Sequence, residues 1–317
     1  MKFYLAPMEE VTGYVFRNVY HELYGGIDKY FGPFIAPNQH NSFKTREKKE
    51  IAPENNRGLY VVPQILTNKS NQFCDTCEML LTLGYNEVNI NIGCPSSTVV
   101  TKGKGSGMLV DIKQLHSFME DIFGWRDNLH PDFKISVKTR LGIEAETEFA
   151  KILPVFEEYP LEELIIHPRV QKDYYKNTPH LETYKTVLTQ SRLPVCYNGD
   201  LFTKKRFDAF VEAFPETECV MIGRGLVANP ALLREISQGE RITKAELRIY
   251  HDKLYQAYTD ALGCKDALFK MKEVWFYLSF RFADCEKYVK AIRKAESGRA
   301  YESAAQALFA DCSLRGE

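Results

Sequence analysis

Apolar residues gather in short runs along the first 225 residues: Phe3–Met8, Ile27–Ile35, Leu59–Ile65, Glu87–Ile92, Lys134–Thr139, Glu163–His167, Pro194–Asn198 and Cys219–Gly223. Most are rich in Val, Ile, Tyr or Phe without strict alternation, the pattern of parallel strands covered on both faces. Between them the apolar spacing changes to three and four, as at Phe73, Cys77, Leu80 and Leu81. That period predicts helices over Thr12–Leu23, Asn71–Leu83, Asp111–Phe123, Glu146–Glu158, Leu181–Gln190 and Thr203–Phe214. The connection after the second run is the exception, being long, polar and basic (Lys44, Arg46, Lys48, Lys49).

Eight strands alternating with helices fit a (β/α)8 TIM barrel or a doubly wound sheet. From Arg241 the strand-like runs stop, and Ala245–Leu262, Asp266–Phe282, Cys285–Ala295 and Tyr301–Phe309 read as a small helical bundle. The expected division is therefore a barrel over residues 1–240 and a helical domain over 241–317, with the boundary near Gln238–Thr243. Neither an internal repeat nor a low-complexity segment interrupts this order.

Composition adds limits. The hydrophobic share of 44% and charged share of 26% are those of a soluble globular chain. No apolar run approaches the roughly 18 residues a membrane helix needs, and Glu9 and Glu10 cut the first run too short for a signal-peptide core, so a cytoplasmic protein with reduced cysteines is expected. The net charge of −1 argues against binding nucleic acid by bulk charge, although the sign is uneven. From Arg241 onward there are 14 Lys/Arg against 11 Asp/Glu, while residues 1–240 hold 27 against 31. A mildly basic tail suits either a solvated helical surface or contact with RNA phosphates.

The candidate chemistry lies at the C-terminal ends of the strands, where barrels of this kind place their active sites, and this favours the barrel over the doubly wound sheet. The ends carry Ala6-Pro7-Met8-Glu9, Gln64, Asn91-Ile92-Gly93-Cys94-Pro95, Lys138 with Arg140, His167 with Arg169, Asn198-Gly199-Asp200 and Gly223-Arg224-Gly225. Singly each has a structural explanation: a snorkelling lysine, a satisfied core histidine, a plain turn. Their recurrence at one end of successive strands marks a site. Glycine-rich turns after the last two strands suit a phosphate, which FMN or a phosphorylated sugar would supply equally. A lysine buried at Lys138 is costly without an anion beside it. A reduced flavin would offer one, worth on the order of 4 kcal/mol at about 4 Å and an effective dielectric near 20. The rival reading of Lys138 as an aldolase nucleophile leaves Cys94 unexplained. Cys94 is followed by Gly103, Gly105 and Gly107, a segment read as a loop able to move and close over substrate. No His or second Cys lies at ligand spacing from it, so no metal is expected. Cys74 and Cys77 form a lone CxxC within a predicted helix and are read as packing residues.

These segments together resemble the tRNA-dihydrouridine synthases. The likeness runs from Ala6-Pro7-Met8, Thr12 and Phe16-Arg17 through Asn91-Ile92-Gly93-Cys94-Pro95 with its glycine-rich lid and Val137-Lys138-Thr139-Arg140. It continues over Ile166-His167-Pro168-Arg169, Asn198-Gly199-Asp200 and Ile222-Gly223-Arg224-Gly225, and the tail is similar to that family's RNA-binding domain. The resemblance implies an FMN enzyme, reduced by NADPH, that saturates the C5–C6 bond of uridines in tRNA. By it Cys94 is the general acid, and Pro7, Met8, Gln64, Lys138, His167, Asn198, Gly199, Asp200, Gly223 and Arg224 hold FMN. Asn91 and Arg169 meet the uracil. Lys270, Lys272, Arg281, Lys287, Lys290, Arg293 and Lys294, with the basic second connection, grip RNA phosphates. Two positions depart from the family pattern: Ser96-Ser97-Thr98 stand where a lysine is usual, and Gln171 where an arginine is frequent. Both lie where substrate identity is set, so another uridine, or another RNA, is an alternative. Further alternatives are a flavin barrel reducing a small pyrimidine, in the manner of dihydroorotate dehydrogenases, and a non-catalytic RNA-binding protein.

Overall fold

A computed structural model of the chain describes residues 1–38 and 42–315. The apolar runs become nine strands: β1 (Lys2–Leu5), β2 (Lys29–Phe31), β3 (Val61–Val62), β4 (Gln64–Ile65), β5 (Glu87–Ile92), β6 (Lys134–Arg140), β7 (Leu164–His167), β8 (Val195–Tyr197) and β9 (Cys219–Ile222). Every pairing is parallel, in the order β3-β2-β1-β9-β8-β7-β6-β5-β4. The two ends of that order, β3 and β4, are separated in the chain only by Pro63. Proline has no N–H to give the ladder, so one continuous strand is interrupted there. Its carbonyl still accepts from the Asn89 N–H at 2.9 Å. Counting residues 61–65 as one strand closes the sheet into the eight-stranded barrel that the alternation predicts.

Alternate residues of each strand serve different surfaces. Val88, Ile90, Ile92, Ile135, Val137, Leu164 and Ile166 pack in the layer with Phe73, Cys77 and Leu80 of helix Ser70–Thr82, Leu115, Phe118 and Ile122 of helix Ile112–Leu129, and Ile152 and Phe156 of helix Phe149–Glu157. Tyr4, Ala6, Phe31, Val62, Ile165, Cys196, Cys219 and Met221, from strands all round the ring, meet one another inside it. Cys74 and Cys77 sit in helix Ser70–Thr82, and burial raises both thiols, Cys74 to about 11, so they are protonated packing groups. At the N-terminal end of the barrel Lys29 contacts Glu87 at 2.9 Å, Glu163 at 3.4 Å and Glu162 at 3.7 Å. Burial alone would lower its pKa, but the glutamates outweigh that and hold it above the ordinary lysine range.

The basic connection after β2, which carried no predicted helix, holds one at Thr45–Ile51. Two turns burying only Ile51 leave no apolar period to read. The helix is instead fixed at its start by Glu47, whose carboxylate accepts the N–H of Lys44 at 2.8 Å and of Ala36 at 3.1 Å.

The residues pack as two compact units, one of Met1–Pro7, Asp28–Gly199 and Ala213–Met221, the other of Met8–Ile27, Asp200–Glu212 and Ile222–Glu317. In the second unit helix Tyr14–Leu23 joins the tail helices Lys244–Leu262, Cys264–Leu278, Glu286–Lys294 and Gly298–Asp311. Its centre is a polar junction sealed by aromatics. Trp275 Nε1 donates to Tyr301 Oη at 2.9 Å, leaving the Tyr301 proton for His251 Nε2 at 2.7 Å. His251 is then neutral, its Nδ1–H directed to Asp252 at 2.7 Å, in keeping with a pKa lowered chiefly by burial. Tyr301→Phe strands two buried polar groups for the sake of one oxygen atom. It is expected to cost about 1–3 kcal/mol, read as a lower urea midpoint at unchanged slope.

Candidate active site

A polar ladder crosses the barrel interior from β4 to β6. Asn91 Nδ2 donates to Gln64 Oε1 at 2.8 Å, Gln64 Nε2 to Asn89 Oδ1 at 2.7 Å, and Asn89 Nδ2 to Ser136 Oγ at 2.9 Å. Gln64, Asn89 and Ser136 are fully buried, so each amide is oriented by its neighbours. Gln64 is committed to this ladder on both ends of its amide.

Asn91 also builds the turn that carries Cys94. Its Oδ1 accepts the N–H of Gly93 at 3.1 Å and of Cys94 at 2.9 Å. The Cys94 carbonyl takes Ser106 N–H at 3.1 Å and Ser106 Oγ at 2.9 Å, and Gln171 Nε2 reaches the Pro95 carbonyl at 3.0 Å. Buried Arg140 donates to the carbonyls of Gly93 at 3.0 Å, Val170 at 2.9 Å and Tyr174 at 2.7 Å, tying this turn to the segment after β7. Nothing in the spacing marks Arg140 or Ser106 as positioning residues, because their partners are backbone atoms far away in sequence. Gln171, one of the departures from the family pattern, is thereby placed on the cysteine segment.

The glycine-rich segment differs from the mobile loop expected of it. Residues Gly105–Val110 form a 3-10 helix with Gly105 to Leu109 buried, preceded by a short helix at Ser97–Val100. Gly105, at φ +57°, has no room for a side chain: a Cβ would lie 2.8 Å from the Cys94 carbonyl and 2.9 Å from Cys94 Cβ. At Gly105 the glycine is therefore required by close packing against the cysteine turn.

Lys138 stands opposite Asn91 in the register of β5 and β6, on the same face of its strand as Ser136. It is the counterpart of Lys29 at the other end of the barrel, without the glutamates. Its ammonium has no hydrogen-bond or ion-pair partner among the described residues, and burial, reinforced by Arg140, lowers its pKa to about 8. The residue as a whole remains half-buried, so the group is desolvated yet reachable. Beside it in the sheet, His167 is paired in register with Arg140. Arg169 Nη1 lies 2.9 Å from His167 Nε2, and since a guanidinium only donates, His167 is neutral and protonated on Nδ1. Arg169 is itself buried and also gives Nε to the Asn177 carbonyl at 2.8 Å. Asn198 Nδ2 is spent on the Met221 carbonyl at 2.8 Å, bracing β8 to β9, and a Cβ on Gly199 would collide with Tyr197 Oη. Pro7 follows β1, half-buried.

The remaining predicted residues belong to the second unit. The Met8 carbonyl accepts Thr12 N–H at 3.0 Å, and the Met8 N–H goes to Thr12 Oγ1 at 2.7 Å. Arg224 Nη2 meets Asp200 Oδ1 at 2.5 Å, and its guanidinium lies over Phe202 at 5.0 Å. Gly223 precedes the short helix Arg224–Ala228. Gly225 is tied to glycine by the Leu201 carbonyl, 2.1 Å from where a Cβ would stand. Gly225→Ala is expected to destabilise by about 1–3 kcal/mol through backbone displacement, measurable as a lowered thermal midpoint.

Among the described residues no group of three or more His, Cys, Asp or Glu could hold a metal ion, and no helix is long and apolar enough to cross a membrane. The family model for dihydrouridine synthases matches residues 4–307 of the chain. The protein belongs to the dihydrouridine synthase family. Its relatives include a tRNA-dihydrouridine(16) synthase of Pseudomonas syringae, 26% identical over 88% of this chain and 89% of that one. A probable tRNA-dihydrouridine synthase of Staphylococcus aureus is 28% identical over 94% and 87%. Among solved structures the fold is similar to an old yellow enzyme of Trypanosoma cruzi, with a TM-score of 0.57 at 10% identity over 82% of this chain and 94% of that one. Morphinone reductase gives 0.53 at 10% identity over 76% and 86%. At that identity the likeness speaks for the barrel fold alone.

Proposed function

We propose that this member of the family reduces uridine in tRNA to 5,6-dihydrouridine, with FMN as cofactor and NADPH as reductant. The observation that carries the proposal is Lys138: a desolvated ammonium without a partner, beside an oriented amide ladder and the cysteine turn. One further feature fits a flavin: half-buried Asn91, oriented by Gln64 and by the cysteine turn, keeps a second Nδ2–H to donate. Pro7, Met8, Gln64, Lys138, His167, Asn198, Gly199, Asp200, Gly223 and Arg224 are assigned to FMN. Bound there, FMN would supply the hydride.

The chain's own residues do the rest. Lys138 stays cationic at neutral pH and balances negative charge on the cofactor. Asn91 holds the Cys94 turn through its Oδ1. Cys94 Sγ gives its proton to C5 of the uracil as general acid. Arg169, oriented by Asn177, is assigned to the substrate and keeps His167 in one tautomer. The uridine must be unstacked to reach a barrel mouth, which is least costly in the loops of a folded tRNA. Of the tail cations assigned to RNA, Lys270 is paired with Glu10 and Arg281 with Glu235, whereas Lys290, Arg293 and Lys294 have no partner among the described residues. The latter three are the better phosphate ligands.

The test is to purify the protein, record its absorption spectrum, and incubate it with NADPH and tRNA. A flavin spectrum, with uridines that gain two hydrogens by mass spectrometry, is the expected result. A colourless protein that takes up no added FMN would overturn the proposal. Flavin without dihydrouridine would redirect it to another RNA or a small pyrimidine.

A further inference from the structure

A cleft of about 670 Å³ opens on the second unit between helices Cys264–Leu278 and Glu286–Lys294. Its polar lining is lopsided: Lys265, Lys272, Arg293 and Lys294 against Glu296 alone. Lys272 Nζ is anchored on the Ala295 carbonyl at 2.6 Å, but Lys265, Arg293 and Lys294 have neither a hydrogen-bond nor an ion-pair partner among the described residues. A cation in the last turn of a helix has a structural reason in the helix dipole, which covers Arg293 and Lys294 but not Lys265. Nor does it explain Phe269, which lines the same cleft with 59% of its surface in solvent although Lys272 Nζ lies 5.8 Å from its ring centre. The exposed rings continue along that helix and its 3-10 extension with Phe276 and Phe280, at 56% and 54%.

An exposed ring beside unpaired cations complements a ligand with both a π face and a negative backbone. An apolar helix would leave the cations without counter-charge, and a free anion would leave the ring uncovered. We propose that this cleft binds an unpaired nucleotide of a single-stranded RNA segment, its base stacked on Phe269 and its phosphates held by Arg293 and Lys294. The proposal rests on and deepens the RNA reading above: it gives the tail a site for an unstacked base, made of residues other than those assigned to the reacting uridine.

The test uses the full chain and fluorescence anisotropy with labelled oligouridine and a duplex RNA of equal length, titrated between about 50 and 200 mM salt. Phe269→Ala is expected to weaken oligouridine binding about 5- to 150-fold, the equivalent of one lost base–aromatic stack, with the salt slope unchanged. Phe269→Trp should restore it. Arg293→Gln with Lys294→Gln should shrink the salt slope by about 1.4, the single-strand value for two phosphate contacts. Lys185→Gln, an exposed charge on helix Leu181–Gln190, serves as the control and should change neither. Weakening by the charge variant but not by Phe269→Ala would reduce the cleft to a bare cationic patch and overturn the proposal. So would equal losses on duplex RNA, or no loss from any variant. Because binding is read without turnover, a protein that lacks flavin but binds oligouridine through Phe269 would sink the enzyme reading and leave this one standing.

Discussion

Cys94→Ala is expected to lower dihydrouridine formation by about 10²- to 10⁴-fold, the usual contribution of a positioned general acid, while the purified protein keeps its flavin. The structural reason for that selectivity is the way the turn is held. Asn91, Ser106, Arg140 and Gln171 all bond to backbone atoms of residues 93–95, so the turn does not depend on the thiol. Removing Sγ deletes the proton donor while these backbone bonds remain. Single-turnover reduction of tRNA by the pre-reduced enzyme, followed by mass spectrometry, isolates this step. Turnover within a factor of ten of the parent would remove Cys94 from the role.

Lys138→Met is expected to act in opposite directions on stability and on cofactor binding. The folded pKa of about 8 lies below the ordinary lysine value of 10.5. The folded state therefore binds fewer protons than the unfolded one between those values, and stability rises with pH across that window. Below pH 8 both states are protonated and the full penalty of the buried charge is present, on the order of 3 kcal/mol at 1.36 kcal/mol per pH unit. Flavin-free Lys138→Met protein should accordingly be more stable than the flavin-free parent at pH 7. The gain should shrink to under about 1 kcal/mol at pH 10, where the folded lysine is already neutral. Its affinity for FMN should fall at the same time, as expected where stability is given up for function. Urea unfolding at the two pH values and a flavin titration measure both effects. A variant less stable than the parent at pH 7 would show that Lys138 has a partner supporting the fold.

Much of the barrel was legible because its signals are local. Runs of apolar residues locate the strands to within a few positions, and the three-and-four spacing of Phe73, Cys77 and Leu80 locates a helix whose buried face they form. The third run also held the clue to closure, since Pro63 interrupts a ladder that is otherwise continuous. Helix Thr45–Ile51 escaped because it has too little buried surface to impose a period. The helical turns of the glycine-rich segment escaped for a related reason: glycine permits motion and permits close approach, and the sequence does not distinguish the two. Gly105 against Cys94 is a case of the second.

The sequence by itself determined the order of the strands and of most helices and the family, and it put the candidate site residues at the strand ends, because each follows from residue type and short-range spacing. Only the tertiary structure decided which of the charged residues are satisfied. Lys29 and Lys138 are both lysines of barrel strands, yet one meets three glutamates and the other none. Arg140 and Arg169 are both arginines beside the site, yet the first is wholly engaged with carbonyls and the second also sets the tautomer of His167. Those differences depend on groups that are distant in the chain and adjacent in space, since electrostatic and hydrogen-bond energies fall with distance through space and not along the sequence.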